Sequence, residues 1–400
     1  MTHLKYARVM RTITRVPGFS AGSADAGLRK QPAPDVALIV SDRPCTAAGV
    51  FTTNRVKAAP VLLDEAHLRD TAEGYRAVLI NAGCANACTG EQGMRNAADS
   101  AVRVGEALGC APESVLVMST GVIGTQLPMD KLGAGIAAAA RALDPEGWHD
   151  ASRAIMTTDT QPKRARALHE GAVIAGIAKG AGMIAPNMAT MLALVVTSAA
   201  VPPPLLDQAL REAVEHSFNR IVVDGDMSTN DTVLVLANGA SRVQVTPETL
   251  PAFTLKLTAV CIALAQAIVR DAEGATQFIT LEITGAPDVA AARQIGHAIA
   301  TSPLVKTAFY GGDANWGRIL AAAGRAGVQV DPDRLALWYD DLQLVSAGAP
   351  LDYDEMLANR IAGQSEVTVR LDLGLGEATA TIWTCDLSHD YVSINGHYRT

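Results

Sequence analysis

At 400 residues the chain is too long for one small core, and it calls for two domains or one large layered one. Apolar residues make up 49% and charged residues 18%, which excludes a disordered chain. A net charge of −8, with 4% aromatics and no basic run, excludes a nucleic-acid-binding surface.

No run reaches about 18 uninterrupted apolar residues, so no membrane span is expected. The basic start (Lys5, Arg8, Arg11, Arg15) lacks the apolar core of a signal peptide and runs into what reads as the first strand. A cytoplasmic location is expected. The six cysteines are scattered without a Cys-x-x-Cys pair and read as reduced, mostly buried thiols; no metal site is expected.

In chain order, residues 35–63 are strand-like, with apolar runs at 36–40 and 47–51. Residues 77–80 form a short buried strand that opens into a small-residue loop at 81–90. Residues 96–109 have helical spacing, and 115–118 form a strand ending at Ser119-Thr120-Gly121. An alanine-rich helix is expected at 129–143, a strand at 173–177 and another at 192–196. Residues 203–218 predict a helix with proline in its first turn. An acidic loop opens at Val222-Val223, and strand resumes at 232–236. The longest helix is expected at 252–270, followed by a strand at 278–283 and a helix at 288–300. There are too few helices and too many hairpin-like strand pairs for a doubly wound parallel sheet. The expected class is α/β (α+β), a layered sandwich of mixed β-sheets with outer helices.

Several motifs fail on context. Gly180-Ala-Gly-Met-Ile-Ala185 matches a dinucleotide fingerprint, but Pro186 and Asn187 stand where its helix should begin. Gly18-Phe-Ser-Ala-Gly22 matches the nucleophile elbow without the strand and helix that the elbow needs, and reads as a loop. Asp224 to Asp231 resembles a calcium loop lacking its turn glycine and closing glutamate, so a structural turn is expected.

Chemistry concentrates around Thr190. A glycine- and proline-rich stretch from Lys179 runs into Ala189-Thr190, and an apolar strand follows. A threonine there can attack the preceding carbonyl and cut the chain. Its new α-amine, with an ordinary pKa of about 7.7–8.0, would then serve as base for its own Oγ. Strand-initiating threonines are common, so this pattern alone does not decide. Thr120 and Gly121 offer a hydroxyl and a backbone N–H, the parts of an oxyanion hole or of an ordinary turn. Lys179 and the Asp271-Ala-Glu273-Gly274 turn each read equally as surface or as site.

Taken together, the motifs resemble the ornithine acetyltransferase family, the bifunctional proteins of arginine biosynthesis, over nearly the whole chain. They are Phe51-Thr-Thr-Asn-Arg55, Ser119-Thr-Gly-Val-Ile-Gly124, Ile155-Met-Thr-Thr-Asp-Thr160 and Lys179 through Leu192. Ser217-Phe-Asn-Arg220, Asp271-Ala-Glu-Gly-Ala-Thr276, Lys306-Thr-Ala308, Asn315-Trp-Gly-Arg318, Tyr391-Val-Ser-Ile-Asn395 and Tyr398-Arg-Thr400 follow in order.

The resemblance implies an N-terminal-nucleophile architecture, self-cleaved between Ala189 and Thr190 into an α chain (1–189) and a β chain (190–400). An α2β2 heterotetramer is implied. Thr190 would carry the acetyl group, with Thr120 and Gly121 as the oxyanion pair. Thr157 (or its neighbour Thr158), Lys179, Thr190, Glu273, Asn395 and Thr400 would contact substrate. The implied substrates are N2-acetylornithine and glutamate, with no cofactor and with acetyl-CoA as a further possible donor. The rival of the same superfamily is a self-cleaving aminopeptidase or amidohydrolase, in which water replaces glutamate. Departures from the family pattern include Gln277 where lysine is common and Gly396-His397 where a small-acidic pair is common. Both flank implied substrate contacts and are expected to bear on substrate preference.

Overall fold

The computed structural model describes residues 9–185 and 191–397. Ala189, Thr190 and Thr400, implied as cleavage-site and substrate-contact residues, lie outside the described residues.

The first half of the chain supplies β1 (Phe19–Ala24), the sixteen-residue β2 (Val36–Phe51), α1 (Ala59–Asp70) and β3 (Glu73–Cys84). It continues with α2 (Gly90–Leu108), β4 (Val115–Val122), α3 (Met129–Arg141), α4 (Trp148–Ala154), β5 (Lys163–His169) and β6 (Ala172–Lys179). Then come β7 (Leu192–Thr197), α5 (Pro203–Glu215), β8 (Ile221–Val222), β9 (Thr232–Ala237) and α6 (Leu250–Arg270). The remainder comprises β10 (Phe278–Ala286), α7 (Val289–Ala300), α8 (Pro303–Tyr310), α9 (Trp316–Gly324), β11 (Ala336–Tyr339) and β12 (Leu342–Ser346). It ends with β13 (Ala349–Pro350), α10 (Glu355–Ala362), β14 (Glu366–Asp372), β15 (Ala378–Cys385) and α11 (His389–His397).

One mixed sheet runs β4-β3-β2-β9-β7-β6-β5, with β1 paired to β2. Strand β2 belongs to both halves of it. Its first part pairs with β1 and β3; its last part, from Thr46 to Phe51, pairs with β9. Between them the register with β3 shifts, and the charged Asp42 and Arg43 and the turn-forming Pro44 lie exposed. The sheet folds over at this irregularity into two facing layers.

Strand alternation then sorts the side chains. Ala37, Ile39, Val78, Ile80, Leu116 and Met118 from one layer meet Ala175, Ile177, Leu194, Val196, Leu234 and Leu236 from the other. The alternate residues Val36, Leu38, Leu79 and Val117 pack outward on α2 and α3, while Ala165, Ile174, Val195 and Val235 pack outward on α5 and α6. The expected layered sandwich of mixed sheets with outer helices is therefore present. A second mixed sheet, ordered β13-β12-β11-β14-β10-β15-β8, carries α7 to α10 around its own core.

Helix α6 is long and apolar enough to cross a membrane by length and composition, with mean hydropathy 1.9, but two thirds of that window is buried. It packs on β5 and β6 as a core helix.

Some expectations need correction. The strand-like segment does not extend to residue 63: α1 begins at Ala59, where proline enters its first turn with a backbone angle already set for helix. Gly18-Phe-Ser-Ala-Gly22 is largely strand rather than loop, with Ser20 paired to Val40. From Met10 to Phe19 the chain makes isolated bridges, and the first strand begins only at Phe19.

Candidate active site

Thr120 and Gly121 lie at the end of β4, which runs parallel to β3 with Ala82 opposite Thr120 and Gly83 opposite Gly121. Gly121 has φ +131°, and a Cβ built there would lie 2.3 Å from the carbonyl carbon of Gly83. Only glycine lets the two strand ends approach this closely. Buried amides hold this corner in place. Asn230 Nδ2 donates to the carbonyls of Ala85 (2.7 Å) and Ser119 (2.8 Å), while the Ser119 hydroxyl donates to Asn81 Oδ1 at 2.6 Å.

Lys179 ends β6 with 3% of its surface exposed, and its Nζ donates to Thr120 Oγ1 at 3.3 Å. Burial lowers its proton affinity and Lys163 lowers it further, while Asp159, Glu273 and Asp231 oppose the fall.

The principal counter-charge is Asp159, in the loop between α4 and β5, with no exposed side-chain surface. Oδ1 accepts from Lys163 Nζ at 2.6 Å and from the Gly180 N–H at 2.7 Å, and Oδ2 accepts from the Thr157 N–H at 2.9 Å. Burial alone would raise its pKa, but Lys163, Lys179 and the Gly180 N–H together hold it well below the usual carboxylate range. Lys163 also donates to Asp271 Oδ2 at 2.5 Å, and Asp271 accepts the N–H groups of Thr160 and Gln161. A buried Asp–Lys–Asp chain thus fixes the loop carrying Thr157 and the backbone next to Lys179.

Glu273 follows α6, its N–H donating to the Ala181 carbonyl at 2.9 Å. Its Oε2 accepts from Asn395 Nδ2 at 2.8 Å. Helix α11, which carries Asn395, is seated on the same turn through Ser388 Oγ donating to the Gly274 carbonyl at 2.6 Å. The Tyr391 hydroxyl donates to Asp224 Oδ2 at 3.2 Å, and Asp224 also accepts the N–H groups of Met183 (2.6 Å) and Ile184 (2.9 Å). The calcium-like loop is therefore a backbone clamp on the segment leading toward Thr190. On the far side of that segment, Asp231 Oδ1 accepts the Met191 N–H at 2.8 Å.

Thr120, Gly121, Thr157, Thr158, Lys179, Glu273 and Asn395 all line one cavity of about 140 Å³. Every site residue implied by the sequence that lies among the described residues is brought together there. The volume falls below the roughly 300–1,000 Å³ of drug-sized ligand sites, so it suits a small substrate. Gln277 does not line it: its Nε2 donates to the Ala362 carbonyl at 2.9 Å, away from the cavity. His397, at the exposed end of α11, is held to the Ser393 carbonyl. Sequence reasoning missed Asp159, Lys163, Asp224, Asn230 and Tyr391.

Comparison with known proteins places the chain among the bifunctional enzymes of arginine biosynthesis. The family model described as the ArgJ family matches residues 20–400. The arginine biosynthesis bifunctional protein ArgJ of Symbiobacterium thermophilum is 54% identical, covering 97% of this chain and 98% of its own. The protein of the same name from Geobacter sulfurreducens is 49% identical, over 96% of this chain and 100% of its own. Among solved structures, a chain of ornithine acetyltransferase from Mycobacterium tuberculosis, complexed with ornithine, is 42% identical with a TM-score of 0.43; the match covers 45% of this chain and 98% of that one. The chain belongs to the ArgJ family and is an enzyme.

Proposed function

We propose that this enzyme moves the acetyl group of N2-acetylornithine to glutamate through an acetyl ester on Thr190. The reading rests on one observation: Thr120, Gly121, Thr157, Lys179, Glu273 and Asn395, far apart in sequence, line a single small cavity. The strand that follows Thr190 starts two residues later, at Leu192.

Self-cleavage between Ala189 and Thr190 divides the chain into 1–189 and 190–400 and frees the Thr190 amine. That amine takes the proton of its own Oγ as Oγ attacks the acetyl carbonyl. The negative charge forming on the carbonyl oxygen is received by the Thr120 hydroxyl and the Gly121 N–H. The tetrahedral intermediate collapses, the proton passes to the leaving amine, and ornithine departs. The α-amine of glutamate then attacks the ester and restores the threonine. One amide replaces another, so no energy-supplying cofactor is needed. Lys179, held beside Thr120, favours a neutral Thr190 amine by charge repulsion and offers a cation to a substrate carboxylate. Asn395 and Glu273, hydrogen-bonded to each other in the lining of the same cavity, would meet the substrate's polar groups. An α2β2 assembly of the cleaved chains in the cytoplasm, and acetyl-CoA as a second donor, belong to the same reading.

The test begins with a denaturing gel of the purified protein. Two fragments are expected, about 20 and 22 kDa from a 41.7 kDa precursor in proportion to their lengths, the larger beginning Thr-Met-Leu. Thr190→Ala should give one uncut band. Acetylornithine consumption should require glutamate and yield acetylglutamate. Release of free acetate at the same rate without glutamate would instead establish the amidohydrolase, and a fully active uncut chain would remove the N-terminal-nucleophile mechanism.

A further inference from the structure

A second cavity, of about 630 Å³, lies across the Lys163–Asp271 pair from the acetyl-transfer cavity. Its walls bring together Arg11 from the N-terminal stretch, Arg153 on α4, Arg164 on β5 and Arg270 at the end of α6. Arg11 is held there by a backbone bridge between its neighbour Met10 and Arg166, at 2.9 and 2.8 Å.

The charges of this cavity are unbalanced. Its one lining carboxylate among the described residues, Asp271, is already committed to Lys163, Thr160 and Gln161. Among the described residues only Arg270 of these four has an acidic partner, Glu366 at 3.0 Å. The Arg270 guanidinium also stacks 3.6 Å from the centre of the Phe278 ring, so it presents a fixed face. Two guanidinium nitrogens, Arg164 Nε and Arg270 Nη1, are buried without a hydrogen-bond partner. Burial lowers the proton affinity of both arginines. In a chain of net charge −8, three arginines with no acidic partner among the described residues, gathered around one cavity, are not a general surface property.

We infer that this cavity binds a small molecule bearing two or more phosphate groups. The planar forks of arginine match phosphate oxygens two at a time, which lysine cannot do. The volume is within the range of nucleotide-sized ligands. The cavity shares no described lining residue with the acetyl-transfer cavity, and the inference does not depend on the acetylornithine reading.

The test is calorimetric titration of the full-length enzyme with inorganic pyrophosphate, ADP and coenzyme A. Saturable binding of at least one is expected, weakening as salt screens the charges. Arg153→Gln and Arg11→Gln, both exposed positions, should each weaken it about tenfold or more, as should Arg164→Gln. Arg95→Gln, on the exposed face of α2, should leave it unchanged, and acetyl transfer from acetylornithine should persist in Arg153→Gln. Binding of coenzyme A in competition with pyrophosphate would assign the phosphates to a thioester donor; binding of ADP or pyrophosphate without coenzyme A would assign a free nucleotide or phosphate. Absence of saturable binding by all three would overturn the inference. So would wild-type affinity in the Arg11, Arg153 and Arg164 variants, or an equal loss in Arg95→Gln.

Discussion

Replacing Asp159 by asparagine removes one charge and almost no volume from the centre of the buried network. Asparagine has one acceptor oxygen where Asp159 uses two. Either Lys163 and the Gly180 N–H, or the Thr157 N–H, would then face an amide NH2 instead of an acceptor. Breaking a buried ion pair from one side costs roughly 3–5 kcal/mol. Lys163 keeps Asp271 at 2.5 Å, so the low end, about 3 kcal/mol, is expected from urea unfolding at pH 7.

The pH dependence separates charge from packing. Asp159 has a folded pKa below its ordinary 3.8, so its contribution is complete above pH 3.8 and is lost as pH falls through the depressed value. The wild-type-minus-variant difference should therefore be flat from neutrality to about pH 5 and shrink below 3.8. Lys179, already lowered by burial, loses its main opposing charge in the variant. The alkaline limb of the transferase profile should consequently move to lower pH. A deficit under about 1 kcal/mol, or one equal at pH 7 and in acid with an unmoved alkaline limb, would refute the electrostatic argument.

If the Thr120 hydroxyl is the oxyanion donor proposed above, Thr120→Ala should lower kcat by about 10²–10³, measured in steady-state transfer. Gly121→Ala places a methyl group 2.3 Å from Gly83 in a backbone conformation that favours glycine, so activity should fall and the unfolding free energy from urea titration should drop by about 1–3 kcal/mol of strain. A C-terminal tag, displacing α11 and the Asn395–Glu273 contact, should reduce kcat/KM for acetylornithine while cleavage proceeds; an N-terminal tag serves as the control.

The strands around the site were legible because their apolar runs are short and bounded by turn residues, as at 77–80 and 115–118. Helix α6 was legible from its length and apolar density. The corner at Gly121 was visible only as a hydroxyl beside a glycine, since what makes glycine obligatory is the opposing Gly83 in another strand. Asp159 and Lys163 were hidden for a similar reason. A charged pair four residues apart ordinarily reads as solvated, and only the closure of Gly180 and Asp271 over it makes it a core feature. Ser20 was misplaced because Pro17 and Gly18 suggest a loop, whereas β1 gains its order from pairing along β2. Helix α1 was read as strand because its Val61-Leu62-Leu63 run favours either state until Pro60 is counted as a helix start.

The strand order β2-β9-β7-β6 has a mechanical consequence. Strands β7 and β9 come from after residue 190, yet they lie between β2 on one side and β6 on the other, both from before residue 186. They are joined by ladders running from Thr46 to Phe51 on one flank and from Ile174 to Lys179 on the other. A cut between Ala189 and Thr190 would thus separate two polypeptides that are interleaved like the fingers of clasped hands. Neither piece could leave without unzipping both ladders and emptying the shared interior, so the fragments would remain together through purification, dilution and salt. On that proposal the sheet would be assembled from an intact precursor before the bond is broken. Two fragments synthesised apart would each carry exposed strand edges and half an interior.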